Sequence, residues 1–204
     1  MLRKRAERHI ELKQMVRRTI PPELLPKELD PLGTDTEHPE FYGEMWKVLR
    51  KWRPGPHGNW IGLIGPSGQC KTRCLGLLAA NLIMSGHRVT WTSAMRLHAD
   101  TSVGLRSRDK NVQRLAEEHL AECMTSGWLI LDDLGNNEWC PAFESRLFMI
   151  LDYRKNNRLP MAYSSNIHPA GLHACITSVN SAALIGRLID RADLFDFTRE
   201  EVLL

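Results

Sequence analysis

The sequence predicts an α/β fold in which helices cover both faces of a central parallel sheet. Short apolar runs alternate with segments of helical periodicity along most of the chain, and this alternation is typical of parallel sheets. A glycine-rich turn joins the first apolar run to a helix, and a later apolar run ends in two aspartates. The 204 residues are 43% hydrophobic and 25% charged, so the chain can bury a core without disulfides or metal.

The N-terminal segment predicts a basic, weakly amphipathic helix. Residues 3–18 contain no proline or glycine and carry seven Lys or Arg against two Glu, although the net charge of the whole chain is only +3. Prolines and a glycine then interrupt any regular element over 19–37. We therefore divide the chain into a basic helix with a Pro-rich linker, 1–37, and a main domain, 38–204. Apolar residues recur at helical spacing in the basic helix: Leu12, Met15, Val16 and Ile20.

The main domain is predicted to alternate strands and helices. Apolar runs bounded by turn residues predict the strands, and apolar residues three and four apart predict the helices. The expected strands are 60–64, 88–92, 128–131, 160–164 and 194–197, and the expected helices are 38–52, 71–85, 111–124, 142–156 and 182–192.

Composition excludes several classes of protein. No stretch reaches the roughly 18 apolar residues of a membrane span, and no apolar region of a secretory signal follows the basic N-terminus. We therefore expect a cytoplasmic protein without a membrane partner. The five cysteines form no CxxC pair and are expected to be free thiols. The eight histidines show no metal-ligand spacing.

The turn after the first strand predicts a phosphate-binding loop. Its backbone N–H groups can converge on phosphate oxygens, which the N-terminus of the next helix also attracts. Lys71 can reach the β- and γ-phosphates of ATP, and the Thr72 hydroxyl can bind Mg²⁺. Cys70 departs from the usual pattern, which has glycine there; the alternative is a chance turn before a helix. The predicted nucleotide-binding residues are Gly65, Pro66, Ser67, Gly68, Gln69, Cys70, Lys71, Thr72 and Arg73.

The aspartate pair follows the apolar run 128–131, about 60 residues after the lysine of the loop. A strand that ends close to a phosphate loop commonly supplies the acid that orients Mg²⁺. Asp132 is expected to take that role together with Thr72. Asp133 is expected to polarise the attacking water as a general base. The alternative is an ordinary strand followed by a turn.

Two further positions are candidate catalytic residues. Asn166 ends a polar-tipped strand and can hold the attacking water near the γ-phosphate, or it can cap the turn before Pro169. Arg187 and Arg191 lie four residues apart on one predicted helix. One of them can act as an arginine finger towards a neighbouring subunit, or Arg187 can simply pair with Asp190.

With these motifs in place, residues 60–197 resemble the DnaC/IstB-like branch of AAA+ ATPases, which includes helicase loaders and the ATPase partners of transposases. The most specific stretch is 143–166, where a helix ending Asp152-Tyr153-Arg154 leads through a polar turn and Leu-Pro into a strand ending Ser-Ser-Asn. The resemblance implies a three-layer P-loop NTPase of AAA+/ASCE type. The predicted basic helix adds an N-terminal helical arm, and the seven residues after Phe197 lead us to expect no separate C-terminal lid. The resemblance also favours Arg187 as the finger.

The leading hypothesis is a Mg²⁺-dependent ATPase that forms a homo-oligomer when ATP is bound. The resemblance implies a protein client, a helicase or a transposase, in DNA replication or transposition. One alternative is a nucleotide-gated binding module without turnover, because Cys70 replaces the glycine. Another is a small-molecule kinase, with residues 101–110 as its lid.

Two basic stretches are candidate DNA contacts. One is 3–18, which begins at Arg3 and ends at Arg18, and the other is 96–114, which begins at Arg96 and ends at Arg114. Phosphate contacts of this kind depend on salt and not on sequence. The alternative for the first stretch is a solvated or partner-binding helix.

Overall fold

A sheet of five parallel strands lies at the centre of the structure, as the sequence predicts. The computed structural model describes residues 2–25, 47, 49, 51–52, 60–135, 139–176 and 181–197. The strands follow the order β2-β3-β4-β1-β5, and each neighbouring pair is parallel. The carboxyl ends of β1, β3 and β4 are therefore adjacent at one edge of the sheet. The strands are β1 (Trp60–Ile64), β2 (Val89–Ser93), β3 (Trp128–Leu134), β4 (Met161–Ser165) and β5 (Ala192–Asp196).

Helices cover both faces of this sheet. Alternate residues of the strands pack into two separate apolar clusters, one on each face. One cluster holds Leu97, Leu147 and Leu188, and the other holds Val16 and Leu75. The helices are α1 (Leu2–Thr19), α2 (Lys71–Met84), α3 (Ala94–Ser102), α4 (Lys110–Thr125), α5 (Pro141–Asn156) and α6 (Ser181–Asp190), with short 3-10 helices at Pro22–Leu24, Gly104–Arg106 and Pro169–Ala174.

Helix α3 is the main element that the sequence did not predict. It begins where the Ser93 side chain accepts a hydrogen bond from the Arg96 backbone N–H, a typical N-cap. The helix has only nine residues, which is too short for a clear apolar period. Of the predicted helix 38–52, residues 47 and 49 are helical, and most of the rest lies outside the described residues. The proposed boundary between 37 and 38 lies there too.

The N-terminal helix α1 packs against α2. Val16 and Ile20 are buried between them, with 0% and 2% of their surface exposed. The chain then turns back, so that Leu24 lies over α2 beside Gly76. A Cβ added to Gly76 would lie 3.3 Å from the Cβ of Leu24, a tight contact that leaves little room for a side chain at this position. The basic helix is therefore anchored on the core by its apolar side.

Arg154 ties α5 to its neighbours from a fully buried position. Its Nη1 donates to the carbonyl oxygens of Cys123 at 3.0 Å and Ser126 at 3.1 Å, at the end of α4. Its Nη2 donates to the carbonyl of Pro160, which precedes β4. Burial lowers the pKa of Arg154 to about 10. The Asp-Tyr-Arg segment thus fixes the start of β4 through Arg154. No helix in the part of the chain that the structure describes is long and apolar enough to cross a membrane.

Candidate nucleotide-binding site

A cavity of about 390 Å³ opens at the carboxyl ends of β1, β3 and β4. Ligands of open α/β sheets bind at this edge. The predicted loop residues form one side of the cavity, and side chains that follow β3 and β4 form the other. The lining residues are Leu24, Ser67, Gly68, Gln69, Cys70, Lys71, Thr72, Arg73, Asp132, Asp133, Ser164 and Asn166.

The loop requires unusual backbone angles at three positions. Gly65 has φ of 147°, and a Cβ there would lie 2.8 Å from the Cβ of Phe197. Gly68 has φ of 84°. Cys70 has φ of 56° and ψ of 17°, the left-handed conformation that favours glycine. Glycine is usual at this position because the backbone there is left-handed. The cysteine adopts the same conformation at a cost of about 1–2 kcal/mol.

Lys71 begins helix α2 and lies nearly buried, with 6% of its surface exposed. Its Nζ donates to the carbonyl oxygens of Gly65 at 2.7 Å and Pro66 at 2.6 Å, and to Asn166 Oδ1 at 2.8 Å. Burial lowers its pKa, while the carboxylates of Asp133 and Asp132 oppose that shift. A cation held mainly by neutral acceptors at a helix N-terminus is suited to a phosphate group. Gly65 and Pro66 therefore contribute backbone carbonyls that position the lysine.

Asp132, at the end of β3, faces the start of α2. Its Oδ1 accepts hydrogen bonds from Thr72 Oγ1 at 3.0 Å and from Ser164 Oγ at 2.6 Å. Burial raises the pKa of Asp132 despite these hydrogen bonds, so a nearby cation would stabilise its charged form. A hydroxyl and a carboxylate next to a phosphate loop are the oxygen ligands that Mg²⁺ prefers. Thr72 and Asp132 therefore fit a magnesium ion.

Asp133 and Asn166 lie side by side in the cavity. The pairing of β3 with β4 shifts between Leu131 and Leu134, and Asp133 takes φ of 63° within this irregularity. Its backbone N–H donates to Ser164 Oγ at 2.8 Å. Asn166 Nδ2 lies 3.3 Å from Asp133 Oδ1, while Asn166 Oδ1 accepts from the lysine. Asn166 thus bridges the lysine and the second aspartate.

The alternative role of Asn166 as a cap falls to another residue. The turn Pro169–Ala174 is capped by His168, whose ring nitrogen accepts a hydrogen bond from the backbone N–H of Ala170 at 3.2 Å.

Arg187 lies on α6 and does not line the cavity. Its Nη2 and Nε donate to Asp152 Oδ1 at 2.6 and 3.1 Å, and its Nη1 donates to the carbonyl of Ala183 at 2.8 Å. The guanidinium carbon lies 4.2 Å from the centre of the Phe148 ring. Hydrogen bonding from Arg187 lowers the pKa of Asp152. The partner of Arg187 in the structure is thus Asp152 on α5, rather than the Asp190 weighed from the sequence.

Sequence reasoning missed two residues of the cavity. Ser164 joins both aspartates, and the polar end of the strand before Asn166 was the signal that could have indicated it. Leu24 enters from the turn after α1, and no sequence pattern links that turn to the loop. The predicted residues Lys71, Asp132 and Asp133 lie together as expected, along with Asn166 and Thr72.

A loop joins a buried strand to a helix, and an aspartate pair lies at the end of a nearby parallel strand. This is the arrangement of a P-loop fold. No family model matches the sequence, and no curated protein matches it. Solved structures do. The chain is similar to a crystal structure of DnaI, with TM-score 0.66, 21% identity, and coverage of 87% of this chain and 94% of that one.

The DnaC helicase loader gives TM-score 0.63 and 17% identity, covering 86% of this chain and 99% of that one. Replication initiator DnaA bound to AMPPCP and single-stranded DNA gives TM-score 0.60 and 18% identity, covering 77% of this chain and 46% of that one. The chain thus spans just under half of that DnaA structure. At the level of the fold, these similarities confirm the resemblance to DnaC/IstB-like AAA+ ATPases.

Proposed function

We propose that the protein is a Mg²⁺-dependent ATPase that remodels or loads a protein client during DNA replication or transposition. The observation that carries the proposal is the contact chain across the cavity. Lys71 contacts Asn166, Asn166 contacts Asp133, and Thr72 contacts Asp132, all at one end of the sheet. Phosphoryl transfer depends mainly on positioning and charge stabilisation, which such a cluster can supply.

Each residue of the cluster has a role in hydrolysis. The backbone N–H groups of the loop and the Lys71 ammonium bind the β- and γ-phosphates. Thr72 and Asp132 would hold Mg²⁺, which would neutralise charge on those phosphates when bound. Asp133 accepts the proton of the attacking water, and Asn166 orients that water through its amide. The left-handed backbone at Asp133 costs about 1–3 kcal/mol, a strain that is frequent at active sites.

Arg187 is proposed to complete the site of a neighbouring subunit. An arginine finger in trans requires head-to-tail packing, which builds rings or open spirals. In the single chain its guanidinium is held by Asp152 and lies against Phe148, so it is already ordered near the surface. Arg191 remains the second candidate.

Mixing two inactive variants tests the shared site. Lys71→Ala should lose nucleotide binding but keep its finger, and Arg187→Ala should keep its nucleotide site but lose the finger. Each alone should release little phosphate, whereas their mixture should recover activity at the interfaces that combine an intact loop with an intact arginine. Lys71→Ala mixed with Asp133→Asn provides the control, because neither subunit then has a working site. Equal activity in both mixtures would contradict the trans arrangement.

The strained Cys70 supports a second candidate, a nucleotide-gated module that binds ATP without turning it over. Binding without phosphate release by the wild type, with release restored in Cys70→Gly, would favour this candidate. A kinase is less well supported, because Gly104 of its proposed lid is buried. A Cβ at Gly104 would lie 2.7 Å from that of Ala116 in α4.

DNA is a proposed partner through exposed basic residues. One similar structure is that of DnaA with single-stranded DNA. In this chain, Arg106 and Arg108 are exposed near the start of α4, and Arg17 and Arg18 are exposed on α1. Substituting each pair by Gln should reduce the slope of log DNA affinity against log salt concentration by about one for each arginine replaced. Deleting α1 would be a poor test, because Val16 is part of the core.

A helicase or a transposase is the proposed client. One of the similar structures is a helicase loader. Immobilised Asp133→Asn, held with ATP, should retain the client, whereas Lys71→Ala should not. Retention by both variants alike would contradict a nucleotide-dependent complex.

A further inference from the structure

The nucleotide cavity is closed on one side by a residue from outside the P-loop core. Leu24 belongs to the 3-10 turn Pro22–Leu24, 36 residues before Trp60, where strand β1 begins. It lines the same cavity as Cys70, Lys71 and Arg73. Leu24 has an aliphatic side chain, whereas the other described lining residues are polar or charged, or are the glycine and cysteine of the loop.

The position of Leu24 along α2 separates it from the catalytic end of the cavity. Its Cβ and carbonyl oxygen lie over Gly76, four residues beyond Thr72. Asp133 and Asn166, which are expected to face the γ-phosphate, belong to strands β3 and β4 and their ends. If Asp133 and Asn166 face the γ-phosphate, the nucleoside of a triphosphate on the loop extends away from them, towards the turn. An aliphatic surface suits the face of a base and offers nothing to a phosphate.

The turn is held in place by the N-terminal helix. The Leu24 backbone N–H donates to the carbonyl of Pro21 at 2.9 Å, and that of Leu25 donates to Pro22 at 3.2 Å. Ile20, two residues before the turn, is buried against α2, and its Cγ2 would lie 3.8 Å from a Cβ placed on Gly76. The location of Leu24 is thus set by how α1 packs on α2.

We propose that Leu24 contacts the base of the bound nucleoside triphosphate, so that α1 and its turn form one wall of the nucleotide site. This inference rests on the proposed function, because it assigns the base side of the same site. It has a thermodynamic consequence. Whatever displaces α1 from α2 lowers nucleotide affinity, and bound nucleotide holds α1 in place by the same factor.

Two ligands separate a base contact from general damage to the loop. Mg²⁺·ATP carries a base, whereas Mg²⁺·tripolyphosphate presents only the phosphates. Leu24→Ala in the full chain should weaken ATP binding by about tenfold, since an aliphatic contact on the base is lost. It should leave tripolyphosphate affinity within about twofold of the wild type. Titration calorimetry with both ligands measures the two affinities directly.

Leu25→Ala is the matched control. Leu25 packs on the same apolar cluster as Leu24 but does not line the cavity, so its truncation should leave both affinities unchanged. Gly76→Ala provides a second variant outside the cavity. Its added methyl presses on Leu24 and should weaken ATP binding several-fold without affecting tripolyphosphate.

Three results would overturn the inference. They are an unchanged ATP affinity in Leu24→Ala, an equal loss of affinity for both ligands, and a loss of ATP affinity no greater than that in Leu25→Ala. In each of these cases, binding of both ligands by the wild type would leave the phosphate site standing while the inference fails. If the wild type binds neither ligand, the proposed function itself fails.

Discussion

Replacing Cys70 by glycine should stabilise the protein. The cysteine occupies the left-handed region, with φ of 56° and ψ of 17°, and makes no side-chain cap for α2. A residue with a Cβ pays about 1–2 kcal/mol in this conformation. Glycine avoids that cost, but its backbone is freer in the unfolded chain, which lowers the stability of the folded state by about 0.5–1 kcal/mol relative to a residue with a Cβ. The midpoints of these two ranges leave a net gain of about 0.75 kcal/mol, or roughly 1.5–3 °C in melting temperature for a chain of this size.

Thermal unfolding of Cys70→Gly and Cys70→Ala separates backbone strain from loss of the thiol. Alanine keeps the Cβ and therefore the strain, so Cys70→Ala should melt within about 1 °C of the wild type. The same two variants should be compared for ATP turnover, where only glycine relaxes the loop. An equal rise in melting temperature for both variants, or a fall for Cys70→Gly, would refute the argument from backbone strain.

Three other predictions follow from buried groups. Burial raises the folded-state pKa of Asp132, so the nucleotide-free protein should lose stability as pH rises from the unfolded-state pKa through the folded-state pKa. Denaturant titrations across pH should show that Asp132→Asn abolishes this loss. Turnover assays should show that the same variant loses Mg²⁺-dependent turnover. Iodoacetamide should modify the half-buried Cys70, and ATP should protect it. Cys74 and Cys123 should stay unmodified, because burial raises the pKa of both thiols, to about 12 for Cys123. Mass spectrometry measures the modification of each cysteine. Arg154→Met should lower the free energy of unfolding by about 3 kcal/mol, measured in urea, because several buried carbonyls lose their donor; a loss below 1 kcal/mol would contradict that role.

Local patterns predicted the sheet and most of the cavity. A strand, a glycine-rich loop and a helix are contiguous in sequence, so Lys71 and Thr72 could be placed from their neighbours alone. Parallel strands bring their carboxyl ends to one edge, which is why Asp132, Asp133 and Asn166 could be expected near the loop. The observed strand bounds differ from the predicted ones by at most three residues.

Tertiary contacts account for what the sequence did not predict. Leu24 reaches the cavity because the turn after α1 folds back over α2, beside Gly76. Arg187 pairs with Asp152, 35 residues away on another helix, so spacing within one helix pointed to the wrong partner. Helix α3 is too short for its periodicity to be seen.

The most direct test of the account is phosphate release from ATP by the full chain, compared with that of Asp133→Asn at equal occupancy. Both proteins should bind Mg²⁺·ATP with similar affinity, since Asp133 is assigned to the attacking water. Turnover should fall by about 10²–10⁴-fold in the variant, the usual effect of losing a general base. The contradicting result is that both proteins bind ATP but release equally negligible phosphate, at concentrations high enough for self-association. The assignment of an ATPase would then be wrong.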